Sequence, residues 1–140
     1  MGTAQPSATA PAVPAPPPAE HPAAPPPRQF HLGAAASALV AQAHRQSDGG
    51  DYGQAAATLE RALRIEPDNP LLWIELGRVR MGENNPAQAD AMGRKALSLA
   101  TGDPSAQASA WRLIADSLRA RGRNGDAYEA DRRAAGLSPR

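Results

Sequence analysis

The sequence predicts an all-α chain in which three antiparallel helix hairpins follow one another behind a Pro/Ala-rich tether. Three observations lead there: a change of composition near residue 30, an apolar pattern that recurs at a spacing near 34, and helix start and stop signals that split each unit in two. The first is the plainest. Ten of the fifteen prolines lie between Pro6 and Pro27, interleaved with alanine, and no aromatic residue precedes Phe30. Residues 1–33 therefore have little to bury against the entropy of ordering and are expected to be a disordered tether. Consecutive prolines at Pro16 to Pro18 and Pro25 to Pro27 favour a polyproline-II path of about 3.1 Å per residue, a reach of up to roughly 80 Å. Residues 34–140 then form one helical repeat domain.

Self-alignment of that domain yields three units. The first starts at about Ala36 and carries Leu39, Ala43, Gly50-Asp51-Tyr52, Ala55, Leu59, Ala62-Leu63, Ile65 and Pro67. The second starts at Pro70 with Trp73, Leu76-Gly77, Asn84-Asn85-Pro86, Ala89, Gly93, Ala96-Leu97 and Leu99. The third starts near Ala108 with Trp111, Ile114-Ala115, Gly122, Ala127, Asp131, Ala134, Leu137 and Pro139. Small residues let two helix backbones approach closely, and Trp73 and Trp111 are expected to fill the wider gaps between hairpins.

Six helices are expected near 34–48, 52–65, 70–83, 86–100, 104–121 and 124–137. The first stops at Gly49-Gly50, and Asp51 with Gln54 starts the second. Asn69-Pro70, Asn85-Pro86 and Asp103-Pro104 each set a capping side chain before a proline that suits the first helical turn. Gly82, Gly102 and Gly122 supply the remaining stops. The last helix keeps its outer face soluble with Asp126, Glu129, Arg132 and Arg133, so no separate capping helix is needed. An ordinary helical bundle is the alternative architecture.

Fifteen basic and fourteen acidic residues leave a net charge of +1. They are mixed along the folded part, without the concentrated basic face that nucleic-acid binding needs. No apolar run approaches the 18 or so residues that span a bilayer. The absence of cysteine excludes disulfides, thiolate catalysis and Cys-based metal sites. His21, His31 and His44 form no constellation, and there is no His-Glu-x-x-His, Gly-x-Ser-x-Gly or phosphate-binding glycine loop. Asp90 and Arg94 are spaced for a surface pair along a helix rather than for acid–base work. No cofactor, metal or catalytic residue is expected, and the chain reads as a binding protein rather than an enzyme.

The three units resemble the tetratricopeptide repeat, with its Trp or Leu, its Leu-Gly, its Gly-Asp-Tyr turn, its spaced alanines and its closing proline. The resemblance covers roughly residues 36–139. It departs in the third unit, where the proline comes late and Asp131 replaces a bulky apolar residue. It implies a short right-handed solenoid whose first helices line a concave, protein-binding face. The exposed positions carried over are Val40, His44 and Ser47, then Ile74, Arg78 and Met81, then Arg112, Asp116 and Arg119. The second and third sets are the expected partner-binding residues, because apolar contact with three guanidinium groups suits an extended or helical peptide bearing carboxylates. A merely solvated face is the alternative. Phe30 and Leu32 either anchor the tether to the first hairpin or belong to the partner's site.

Two stretches narrow the resemblance further: Pro-Pro-Arg-Gln-Phe-x-Leu-Gly-Ala at the domain's entry, and Ala-Leu-Arg-Ile-Glu-Pro-Asp-Asn-Pro-Leu-Leu-Trp-Ile-Glu across the first junction. They look like the tetratricopeptide form of the Lpo-type outer-membrane lipoprotein activators of bifunctional penicillin-binding proteins. That implies a monomeric adaptor at the periplasmic face of the outer membrane, its tether crossing the cell-wall mesh to an inner-membrane peptidoglycan synthase. Met1-Gly2-Thr3-Ala4 has neither the basic start nor the apolar core of a signal peptide. A lipid-bearing cysteine is also missing, so the anchor is expected to belong to a longer precursor, of which this is a trimmed or mis-started form. The alternative is a general tetratricopeptide scaffold in pilus or secretion assembly, or a cytoplasmic co-chaperone.

Overall fold

In a computed structural model that describes residues 2–3 and 26–137, the described residues form six α-helices and no strand. These are α1 (Ala34–Asp48), α2 (Tyr52–Ile65), α3 (Pro70–Gly82), α4 (Pro86–Leu99), α5 (Pro104–Ala120) and α6 (Asn124–Leu137). Every expected start is met, and α3, α4 and α5 each stop one residue early. The expected disordered polyproline-II path up to Pro25 lies outside the described residues, as does Pro139.

Local chemistry accounts for four of the six starts. Asp51 accepts from the Gln54 N–H, Asn69 from Leu71, Asn85 from Gln88 and Asp103 from Ala106, at 3.0 to 3.3 Å. Each bond satisfies one of the orphan donors of a helix's first turn. At α3, α4 and α5 the next residue is proline, whose missing N–H is not needed there. The stop expected of Gly82 is a correction. Gly82 is the last residue of α3, and the left-handed turn position belongs to Asn84, with φ of 58°. Gly82 serves packing instead: a Cβ there would run into the Tyr52 ring.

Paired helices α1–α2, α3–α4 and α5–α6 make the three hairpins, and α2 against α3 and α4 against α5 join them. The first helices also touch in sequence, α1 to α3 to α5, whereas α2, α4 and α6 have no mutual contact. Unequal spacing of the two layers bends the stack, with α1, α3 and α5 on the hollow side.

Three apolar clusters run along this stack. Ala36, Val40, Ala43, Leu59, Ala62, Leu72 and Leu76 join the first hairpin to the second. Ile74, Ala96 and Ala110 join the second to the third, and Ile114, Ala115, Leu118, Ala127 and Ala130 fill the last hairpin. The largest fully buried side chains include Leu59, Leu72 and Ile114 rather than the tryptophans. Trp73 borders the junction between the second and third hairpins, donating Nε1–H to the Pro67 carbonyl at 2.9 Å with Lys95 over its ring. Trp111, expected between hairpins, packs on the cluster within the last one, beneath Arg133. An interior spaced by alanine has no room for a whole indole, and the indole N–H needs a partner.

The pair expected between Asp90 and Arg94 forms at 2.9 Å, but Asp90 also faces Ser117 and Arg121 of the third hairpin, so it spans a junction. Among the described residues no helix is long and apolar enough to cross a membrane.

Candidate partner-binding face

The hollow side of the stack carries the outward residues of α1, α3 and α5. The helix period places His44, Arg78 and Asp116 at equivalent positions of the three units, and all three are exposed. Glu75, one turn before Arg78, ties the first two together. Its Oε2 lies 2.7 Å from His44 Nε2 on α1, and its Oε1 accepts from Arg78 Nη1 at 3.3 Å. Glu75 is the less exposed partner in both pairs, so it forms the floor of the charged row between α1 and α3.

On α5 the pattern repeats with the third hairpin's own carboxylates. Arg119 donates to Asp131 of α6 at 3.0 Å and to Asp116 at 3.3 Å. The hydrogen bond to Asp131, and then that carboxylate's charge, hold this guanidinium protonated beyond its ordinary range. Asp131, the departure from the repeat pattern, therefore serves as the anion that orients Arg119.

The expected site residues divide. Arg78, Arg112, Asp116 and Arg119 are exposed and share the hollow side, with Met81 half-buried among them. Ile74 is a correction. It is 3% exposed and packs between Ala96 and Ala110, because those small residues leave a space that its branched side chain fills. Val40 is corrected for the same reason, being part of the first cluster. His44 is exposed as expected, whereas Ser47 is half-buried.

The guanidinium groups of Arg78 and Arg119 are already engaged by carboxylates of this chain, so a partner's carboxylate would share or exchange them rather than meet bare cations. Glu75 was missed from sequence. The only signal for it is repeat arithmetic: His44 and Arg78 are 34 residues apart, and an acid one turn before Arg78 must point at the neighbouring helix. Among the described residues no group of three or more His, Asp or Glu side chains is gathered for a metal ion.

Comparison with known proteins gives the same architecture. The tetratricopeptide repeat family model matches residues 46–110. The solved globular C-terminal domain of P. aeruginosa LpoP is 38% identical, with a TM-score of 0.71, over 74% of this chain and 98% of its own. No curated protein matches the sequence. With that identity spread over nearly all of the LpoP domain, the chain belongs to the tetratricopeptide repeat family, alongside the globular C-terminal domain of LpoP.

Proposed function

We propose that the chain is a non-catalytic adaptor that activates a bifunctional peptidoglycan synthase of the penicillin-binding protein class. The observation that carries this reading is the 38% identity to the LpoP domain across 98% of that domain. The entry and junction stretches that resemble Lpo-type activators support it from sequence. The hollow charged face supplies a surface, with Arg78, Met81, Arg112, Asp116 and Arg119 as the contacts to a carboxylate-bearing segment of the synthase. Under this reading the protein works as a monomer at the periplasmic face of the outer membrane, held there by the lipid anchor of a longer precursor.

A direct assay tests both the activity and the face. Purified protein should raise glycan-strand synthesis by the cognate synthase. The double variant Arg78→Glu with Arg112→Glu should remain helical and lose most of the stimulation, since each reversal sets like charges together at the contact. Absence of stimulation at saturating wild-type protein defeats the activator reading. Full stimulation by the folded double variant leaves the activity but removes this face.

A further inference from the structure

Residues 28–33, which composition groups with the tether, lie across the ends of all three hairpins. The Arg28 N–H donates to the Gly102 carbonyl at 2.7 Å, and the Phe30 N–H to Asp103 Oδ2 at 2.9 Å, both at the head of the third hairpin. The His31 carbonyl accepts from Asn69 Nδ2 at 2.9 Å, at the head of the second. The Gly33 N–H donates to Glu66 Oε2 at 3.0 Å, at the tail of the first, and Leu32 packs on the first apolar cluster. No helix of the first hairpin touches a helix of the third; α3 lies between them and meets both, and this short segment adds a second link across the same span.

We propose that residues 28–33 are a docked strap that holds the three hairpins in register, and that the cap residues Asn69 and Asp103 are its lock. Both are nearly buried, at 6% and 3% exposure, and each does two jobs with two atoms. Asn69 caps α3 with Oδ1 and holds the strap with Nδ2–H, whereas Asp103 caps α5 with Oδ1 and holds it with Oδ2. The chemical difference between them matches what the strap offers. At residue 31 it presents a carbonyl, which needs a donor; at residue 30 it presents an N–H, which needs an acceptor. Either oxygen-bearing side chain would suffice for the caps alone; the strap accounts for the second acceptor at Asp103, and the strap together with Glu66, whose Oε1 also accepts from Asn69 Nδ2–H at 3.2 Å, accounts for the amide at Asn69. A stack of repeats is ordinarily held only by neighbour contacts, and the strap adds a tie between its ends. It also moves the point of departure: the chain upstream of Arg28 leaves from the third hairpin rather than from α1, and a pull on it meets the strap's bonds first.

At Asn69 the lock can be reversed without removing the cap. In Asn69→Asp the cap oxygen remains and an acid at a helix N-terminus is favourable, but the strap carbonyl now faces an oxygen. In Asp103→Asn one carboxamide oxygen must choose between the cap and the strap. Amide hydrogen exchange of the full chain, followed by NMR, reads the result directly, because Arg28, Phe30 and Gly33 donate the strap's own N–H groups. Asn69→Asp should speed exchange at Arg28 and Phe30 by about fivefold, although their partners lie in another hairpin, while Leu59 in α2 stays unchanged; loss of a bond of about 1 kcal/mol sets that scale. Unchanged protection at Arg28 and Phe30 in the folded variant would overturn the strap as a unit, as would amides at those positions unprotected in the parent. Should Asn69→Asp fail to fold, Phe30→Pro removes one strap donor and leaves both caps intact. Faster exchange at Arg28 and Gly33 is then expected, and unchanged exchange overturns the proposal.

Discussion

Side-chain size sets the core. Leu72 is fully buried and Trp73, its neighbour, is only half-buried at a junction edge. Leu72→Ala should cost about 2 to 5 kcal/mol, because the alanines around it are held by backbones that cannot close the space. Sequence alone assigns Trp73→Ala a cavity penalty of about 3 to 5 kcal/mol, but for a ring at the edge of a junction, where water can reach the space it leaves, the cost should fall below that of Leu72→Ala. Paired thermal or urea denaturation of the two variants checks the order, and an equal or larger loss for Trp73 would contradict the packing. The opposite limit is seen at Gly77 and Gly93, where a Cβ would collide with Leu113 and Ile114. These glycines are sites of backbone approach, and the recurring small residues of the sequence are thereby explained as packing.

Helix ends are where local sequence and structure agree best. Caps and prolines act within four residues, so Asn69, Asn85 and Asp103 could be read without any tertiary information. The turn between α3 and α4 is the exception that shows the limit of such reading. Gly82 looks like a stop, yet the left-handed residue is Asn84, and only the position of Tyr52 on another helix explains the glycine. A β-carbon in the left-handed region costs about 1 kcal/mol, which asparagine tolerates better than most. Asn84→Ala should therefore lower stability by about 1 kcal/mol, while Asn84→Gly should leave it equal or higher. Melting curves of both variants test this, and a stable alanine variant would place the turn elsewhere.

At the scale of the molecule, each hairpin buries its apolar flank only against the next one. The cluster of Ile74, Ala96 and Ala110 needs the third hairpin, and so do the strap's bonds to Gly102 and Asp103. A chain ending at Ala100 should thus expose one side of the second hairpin and release the strap. Its melting temperature is expected to drop by roughly 15 °C or more, with a broader transition, since each kcal/mol moves a domain of this size by several degrees. Circular dichroism on heating decides the matter; a sharp transition at the parent temperature would mean that two hairpins stand alone.

Helices, caps, pairing and family can all be read from the residues in order, because each depends on neighbours within a turn or on a pattern repeated about every 34 residues. The charged row of the candidate face can be read there too, in outline. The tertiary structure alone decided that Ile74 and Val40 turn inward, that Glu75 bridges two units, that Asp131 orients Arg119, and that residues 28–33 belong to the fold. Those outcomes join residues far apart in the chain, as with His44 and Glu75 or Phe30 and Asp103. Which of two faces a border residue takes, or which loop meets an extended segment, is set by the shape of the space left between helices, and that space exists only once the stack has formed.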